Sequence, residues 1–212
     1  MLTEEEAKAL LVDRLSVSRE TMTRLEALRD LVVAENEHQN LVSAASIPHF
    51  WARHIVDSAQ LLTLLPDGQP KGPWLDLGTG AGFPGLVIAL LRDDPITLVE
   101  SRRKRIDFLE AAAGQLGLSD VTVFGGRLET MTPAAFSVIS ARAFAPLHRL
   151  LPLAHSFSTD QTLWLLPKGQ KAREEVESVK RDWKGVFHVK QSLTDPDAAI
   201  IVAEQVTKRG RR

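Results

Sequence analysis

The chain has 212 residues, of which 44% are hydrophobic and 25% charged, and its net charge is −1. That length carries one domain with a full core, and the composition is that of a soluble globular protein rather than a disordered or membrane-spanning one. Zero cysteines exclude disulfides, thiolate metal sites and a cysteine nucleophile, and a near-neutral charge is not that of a strongly basic nucleic-acid domain, so any polyanion must meet local clusters of arginine and lysine.

Residues 1–10 are acidic and helical in pattern, not a signal peptide, and no apolar run reaches the length of a membrane span. A cytoplasmic protein is expected. Thr3-x-x-Glu6 is a capping box and predicts a helix over 3–15, with Ala7, Leu10, Leu11 and Leu15 on one face. Ser18 caps a second helix with Met22, Leu25, Leu28, Leu31 and Val32 on its stripe. These two helices precede the sheet and form either a substrate-facing lid or a structural cap. Residues 36–46 are a polar break, and 47–65 read as a third helix. On it Arg53 and Asp57, and His54 and Ser58, are four apart and so share a face. A surface ion pair beside a satisfied histidine is the bland account of that quartet.

After a loop over 66–73, residues Trp74, Leu75 and Leu77 read as a buried strand and Leu86 to Leu91 as the start of a helix. Between them stand Gly78, Gly80, Gly82 and Gly85. Four glycines in eight residues call for a tight turn or a close ligand approach. The dinucleotide fingerprint fails because its third glycine falls on Phe83, and the P-loop fails because no Gly-Lys-Ser/Thr follows. What remains, Asp76-x-Gly78-x-Gly80-x-Gly82, resembles motif I of the Rossmann-like S-adenosylmethionine (SAM) methyltransferases. A carboxylate before the first glycine suits a cationic cofactor better than a pyrophosphate. The next strand, 96–99, ends in Glu100, placed to accept both ribose hydroxyls of an adenosine.

Arg102, Arg103, Lys104 and Arg105 then open a helix running to about Leu116. Cations there oppose the helix dipole, which suits an anionic partner; a solvated face is the alternative. Strands follow over 121–124, 136–140 and 161–166, with helices over 146–157 and 171–183 and a closing antiparallel hairpin over 186–193 and 198–206. The expected fold is therefore α/β: a seven-stranded, mostly parallel sheet with a C-terminal antiparallel hairpin and an N-terminal helical extension. The extension covers 1–72, the methyltransferase core 73–207, and a basic, mobile tail 208–212. The six histidines show no metal-ligand spacing.

Absences narrow the chemistry. Without cysteine there is no pyrimidine C5 methylation of the usual kind. After the fourth strand, Ser140-Ala141-Arg142-Ala143-Phe144 lacks the Asp/Asn-Pro-Pro-aromatic motif that accompanies exocyclic amine methylation. An acceptor with an in-plane lone pair, such as guanine N7, needs no proton removed first. Many hydroxyl and carboxyl acceptors survive this elimination too.

In chain order stand Asn40-Leu41-Val42-Ser43, Arg53-His54-Ile55-Val56-Asp57-Ser58, the block Asp76 to Gly85 ending Phe83-Pro84-Gly85, Arg142-Ala143-Phe144 and Lys168-Gly169. Together they resemble the bacterial small-subunit (16S) ribosomal RNA guanine-N7 methyltransferases, the RsmG or GidB family, from about Asn40 to the closing hairpin. The glycine block joined to Arg-His-x-x-Asp-Ser is specific; Lys-Gly alone is not. The resemblance implies that Gly78, Phe83, Leu128, Glu129 and Arg142 line the SAM pocket, to which the glycine motif and the second strand's tip add Asp76, Gly80, Gly82 and Glu100. It implies Arg142, Lys168 and His54 at the reaction centre. Asn40, Ser43, Arg53, His54, Asp57, Ser58 and Lys168 would face RNA, along with Arg102 to Arg105. The implied partner is small-subunit ribosomal RNA or a ribosomal particle, with no metal or membrane, and the chain a monomer. A methyltransferase for small molecules or proteins, or a non-catalytic SAM-binding regulator, are the rival readings.

Overall fold

The computed structural model describes residues 2–66 and 72–210. Helix α1 (Glu4–Leu15) opens on the capping box, with Thr3 Oγ1 accepting from the Glu6 amide and the Glu6 carboxylate accepting from the Thr3 amide. Helix α2 (Arg19–Glu35) begins where Ser18 Oγ accepts from the Thr21 amide. Its Leu25, Leu28 and Val32 are fully buried, each contributing about 1.5–3 kcal/mol. Past the end of α2, Asn36 Oδ1 accepts from the amides of Leu41 and Val42, both at 2.9 Å, and turns the chain back.

The third helix is not uniform. A 3₁₀ stretch (Ala44–His49) leads into wide π turns (Trp51–Val56), one α turn, α3 (Asp57–Ala59), and a second 3₁₀ stretch (Gln60–Leu64). Pro48 has no N–H to donate, so the α pattern cannot start through it. The wide turns also break the 3.6-residue repeat on which an Arg53–Asp57 pairing depends. Arg53 is exposed, and Asp57 takes Arg142 as its cation instead.

Strands β1 (Trp74–Leu77), β2 (Ile96–Glu100), β3 (Val121–Gly125), β4 (Val138–Ala141), β5 (Leu163–Lys168), β6 (Trp183–Gln191) and β7 (Ala199–Lys208) form one sheet in the order β3-β2-β1-β4-β5-β7-β6. Pairings are parallel from β3 to β5, and β7 runs antiparallel to both β5 and β6. The chain winds outward from β1 in one direction through β2 and β3, and in the other through β4 and β5. Such a switch point leaves a crevice outside the carboxyl ends of β1 and β4.

Alternate strand residues face two separate cores. Trp74, Leu98, Val138, Leu165 and Ile200 pack with α1, α2 and the helices α4 (Gly85–Leu91) and α5 (Arg103–Gln115). Leu75, Leu77, Ile139, Trp164 and Ile201 pack with α6 (Leu147–Ala154) and α7 (Ala172–Val179). Burial on both faces explains the near-continuous apolar runs of the parallel strands. The two N-terminal helices are thus built into one core and not left free over it.

Several element boundaries shift by a few residues from expectation, and the largest shifts lie near the C-terminus. The helix expected over 171–183 stops at Val179, and Trp183 instead opens β6 with its indole buried against His155. The tail expected from 208 is partly anchored: Lys208 pairs with Trp183 in the sheet, and Arg209 Nε donates to the carbonyls of Lys180 and Trp183. Residues 211–212 lie outside the described ones.

Candidate active site

The β1/β4 register sets Asp76 beside Ser140 and Leu77 beside Ala141. Gly78 and Arg142 therefore leave neighbouring strands side by side. Gly78, Gly80 and Gly82 all have positive φ, at 64°, 61° and 90°, a conformation that side-chain-bearing residues rarely adopt. A Cβ on Gly78 would lie 2.4 Å from the Phe144 ring, and one on Gly85 2.1 Å from Leu98.

Asp76 is completely enclosed. Ser140 Oγ donates to its Oδ1 at 2.6 Å, the Gly85 amide donates to Oδ2 at 3.0 Å, and Ser140 itself accepts from the Trp74 indole at 2.8 Å. The expected cofactor carboxylate is thus turned inward, where it tethers the start of α4 and fixes the glycine turn. Burial pushes its pKa up to about 6, while the hydrogen bonds from Ser140 and Gly85 and the charge of Arg142 pull the other way.

Glu100 is the carboxylate left for a ligand. Its Oε1 accepts from the amides of Ser101 and Arg102 at 2.7 and 2.9 Å, which aims the group. Oε2 has only Arg105 Nη1 at 3.8 Å. Arg105 also donates to the Asn40 carbonyl at 3.3 Å and hangs beside Gly80. It therefore belongs to the glycine turn, whereas Arg102, Arg103 and Lys104 are exposed and Arg103 pairs with Asp107.

Phe83 and Leu128 are each 2% exposed and sit in the core. Phe83 stacks on His54 with ring centroids 5.0 Å apart, and Glu129 is exposed beside Arg127. The glycine turn, the free Oε2 of Glu100 and the adjacent β3 loop fit an adenosine-bearing cofactor with an amino-acid tail.

Beside this turn lies a cavity of about 730 Å³ at the carboxyl ends of β4 and β5, walled also by the β6–β7 turn. Its lining includes Ser43, Arg53, His54, Asp57, Arg142, Phe144, Lys168 and Thr194. Arg142 is its centre. Nη1 donates to Asp57 Oδ2 at 3.2 Å and to the Arg53 carbonyl at 3.1 Å, and the guanidinium lies 5.2 Å from the Phe83 ring centroid. Nη2 approaches His54 Nδ1 at 3.4 Å. Arginine can only donate, so Nδ1 accepts and the His54 proton is on Nε2, which donates to Ser46 Oγ at 2.9 Å. Burial, then the charges of Arg142 and Arg53, lower the His54 pKa to about 3. His54 is hence a neutral prop for Arg142 and no proton carrier near pH 7.

Two further expectations change. Ser58 is buried, with its hydroxyl donating to the His54 carbonyl at 2.6 Å, so it faces no partner. Lys168 reaches the cavity, but its ammonium donates to the Ala145 carbonyl at 2.7 Å and pairs with Glu175 at 2.9 Å. Glu175 also accepts from the Leu147 amide at 2.7 Å. The lysine clamps the segment 142–147, in which Ala143 takes a left-handed φ of 52°. Asn40 and Ser43 are exposed, and Ser43 lines the cavity. Nothing local marks Ser140, Gln60 or Thr194 as part of the site, because their partners lie 64, 132 and 137 residues away. Among the described residues no group of His, Asp or Glu could hold a metal ion, and no helix is long and apolar enough to cross a membrane.

A seven-stranded sheet in this order, with a glycine turn after β1 and an acid at the tip of β2, defines a Rossmann-like SAM-dependent methyltransferase. Solved structures agree on the fold. One is a mutant of MtNAS in complex with S-adenosylmethionine (TM-score 0.57, 16% identity, covering 96% of this chain and 84% of that one). Another is the glycopeptide N-methyltransferase MtfA with S-adenosyl-L-homocysteine (TM-score 0.56, 12% identity, covering 71% and 89%). Sequence narrows the class further. The model of the GidB family, described as rRNA small subunit methyltransferase G, matches residues 21–198. A ribosomal RNA small subunit methyltransferase G from Rhizorhabdus wittichii is 55% identical, covering 99% of this chain and 96% of its own. The chain belongs to the GidB family of rRNA small subunit methyltransferases G.

Proposed function

We propose that this protein methylates N7 of a guanine in small-subunit ribosomal RNA, as a cytoplasmic monomer. The observation that carries this reading is the cavity lined by Arg142 and Phe144, whose ring lies against Gly78 of the glycine turn. Bound SAM supplies an electrophilic sulfonium methyl. Glu100 and the main chain around Gly78, Gly80 and Gly82 would hold the cofactor, while Asp76 and Ser140 keep that turn in shape.

Guanine N7 attacks through its own lone pair, so the protein needs no general base. A neutral His54, already engaged with Ser46 and Arg142, is consistent with that. The ring becomes cationic as it accepts the methyl, so Arg142 does not stabilise the developing charge. Its planar fork instead suits guanine O6 or a flanking phosphate, holding N7 in line with the methyl. Such alignment can contribute about 7–11 kcal/mol. Lys168 keeps the Arg142 segment in place, and Asn40, Ser43 and Arg53 at the rim meet the flanking nucleotides. RNA recognition favours unstacked loop bases, which suits a concave acceptor site.

Transfer of tritium from methyl-labelled SAM to purified small-subunit particles, followed by nucleoside analysis, tests the proposal. Labelled 7-methylguanosine is the expected product. Label confined to protein or to another nucleoside overturns it.

A further inference from the structure

Below the cavity, a buried polar chain joins the β6–β7 turn to Asp57. Asp57 Oδ1 accepts from Gln60 Nε2 at 2.9 Å and from Thr194 Oγ1 at 3.0 Å. Gln60 Oε1 accepts from the Leu193 amide at 2.7 Å, and Gln60 Nε2 also reaches Ser192 Oγ at 3.3 Å. Ser192 Oγ accepts from the Thr194 amide at 3.2 Å and lies 3.0 Å from Thr194 Oγ1. Gln60 is 1% exposed, and Ser192 and Thr194 are 7% exposed each.

Stability alone does not ask for this arrangement. Buried polar groups are costly unless hydrogen-bonded, and an apolar set of the same shape can serve as well. What the polar chain adds is direction. With two donors fixed on Oδ1, the carboxylate cannot rotate freely, and Oδ2 is aimed at Arg142 Nη1. The same turn walls the acceptor cavity through Thr194, Asp195 and Ala198. We infer that Gln60 and Thr194 are positioning residues for Arg142, acting through Asp57, and that the β6–β7 turn is a working part of the acceptor site. This rests on the acceptor reading above for its kinetic consequence but not for its geometry.

Thr194→Val removes the donor at nearly constant shape, and Thr194→Ser keeps it. On small-subunit particles, Thr194→Val is expected to lower kcat about 10-fold, a fraction of what a misplacement of about 1 Å can cost. SAM affinity should stay within about twofold of wild type, and Thr194→Ser should recover most of the turnover. Adding Thr194→Val to Arg142→Ala should cost nothing further, because the group being positioned is already gone. Full additivity, or unchanged kcat in Thr194→Val, overturns the inference. A wild type inactive on particles would instead count against the acceptor reading. In that event the guanidinium ¹⁵N signals of Arg142, assigned by their loss in Arg142→Lys, still decide. Thr194→Val should let the two Nη signals average by faster rotation, and Thr194→Ser should not. Identical signals in wild type and Thr194→Val overturn the inference whatever the substrate.

Discussion

Ser140 donates a 2.6 Å hydrogen bond to Asp76 across the point where the strand order reverses. It ties the first strand of the cofactor side to the first strand of the acceptor side. Breaking it leaves a buried carboxylate one donor short, with only the Gly85 amide still donating to it. Ser140→Ala should therefore destabilise the fold by about 1–3 kcal/mol. It should weaken SAM binding as well, because the glycine turn loses its anchor. Urea melts and calorimetry check both; a variant of wild-type stability would show the bond to be dispensable.

Glu100→Ala removes the aimed carboxylate and, with it, the acceptor of the Ser101 and Arg102 amides. Hydrogen bonds to a charged group contribute about 1.5–3 kcal/mol, so SAM affinity should drop roughly 10- to 150-fold. Gly78→Ala should lose more, since φ is +64° and the Phe144 ring occupies the Cβ position. Unchanged calorimetric affinity in Glu100→Ala would remove that residue from the cofactor site.

Arg142→Ala should cut turnover by about 10²-fold, in keeping with the cost of a displaced substrate, and leave SAM affinity nearly intact. Lys168→Ala should act differently, because its ammonium clamps the Ala145 carbonyl and Glu175. The expected signature is lowered melting temperature together with a moderate loss of turnover. Single-turnover kinetics beside thermal melts separate the two; wild-type stability with abolished transfer would put Lys168 on the substrate.

Acid stability should report His54 and Asp76 with opposite signs. The unfolded chain protonates its histidine near 6.5, whereas folded His54 resists to about 3, so stability falls as pH drops through that window. The limiting slope is about 1.4 kcal/mol per pH unit. Folded Asp76 instead takes its proton near 6 and the unfolded one near 3.8, so it adds stability as pH falls from 6 to 3.8. Asp76→Asn should steepen the acid limb between those values, and His54→Gln should flatten it. Urea melts at pH 7, 6, 5 and 4 read this directly, and identical limbs in all three proteins would contradict it.

The basic quartet should divide in RNA binding. Neutralising Arg102, Arg103 or Lys104 is expected to flatten the log-affinity versus log-salt slope by about 0.7–0.9 for each phosphate that no longer meets a cation. Arg105→Gln should leave that slope alone and change SAM affinity, because Arg105 faces Glu100 and Gly80. Filter binding across a salt series distinguishes them.

Much of the fold could be read in the chain because its signals are local. Thr3 and Glu6, Ser18, the glycine block and the apolar strand runs each act within a few residues. The site was only half legible for the same reason. Asp76 and Glu100 are both acids at strand ends, and nothing in their neighbours says that Ser140 caps one while the other keeps an oxygen with no hydrogen bond. Arg53 and Asp57 carry a correct helical spacing, but a change of pitch and a distant arginine replace the pairing. Lys168 shows its charge and conceals its acceptor, Glu175, on the following helix.

The position of β7 has a consequence for how the protein is made. β6 emerges from the ribosome before β7, yet its sheet neighbour is β7, so it has no edge to join until the last strand arrives. Thr194, in the turn between them, reaches Asp57 only when that hairpin closes. A nascent chain can thus complete its SAM-side turn long before Arg142 is braced. The acceptor side of the site thus draws on a later part of the chain than the glycine turn does.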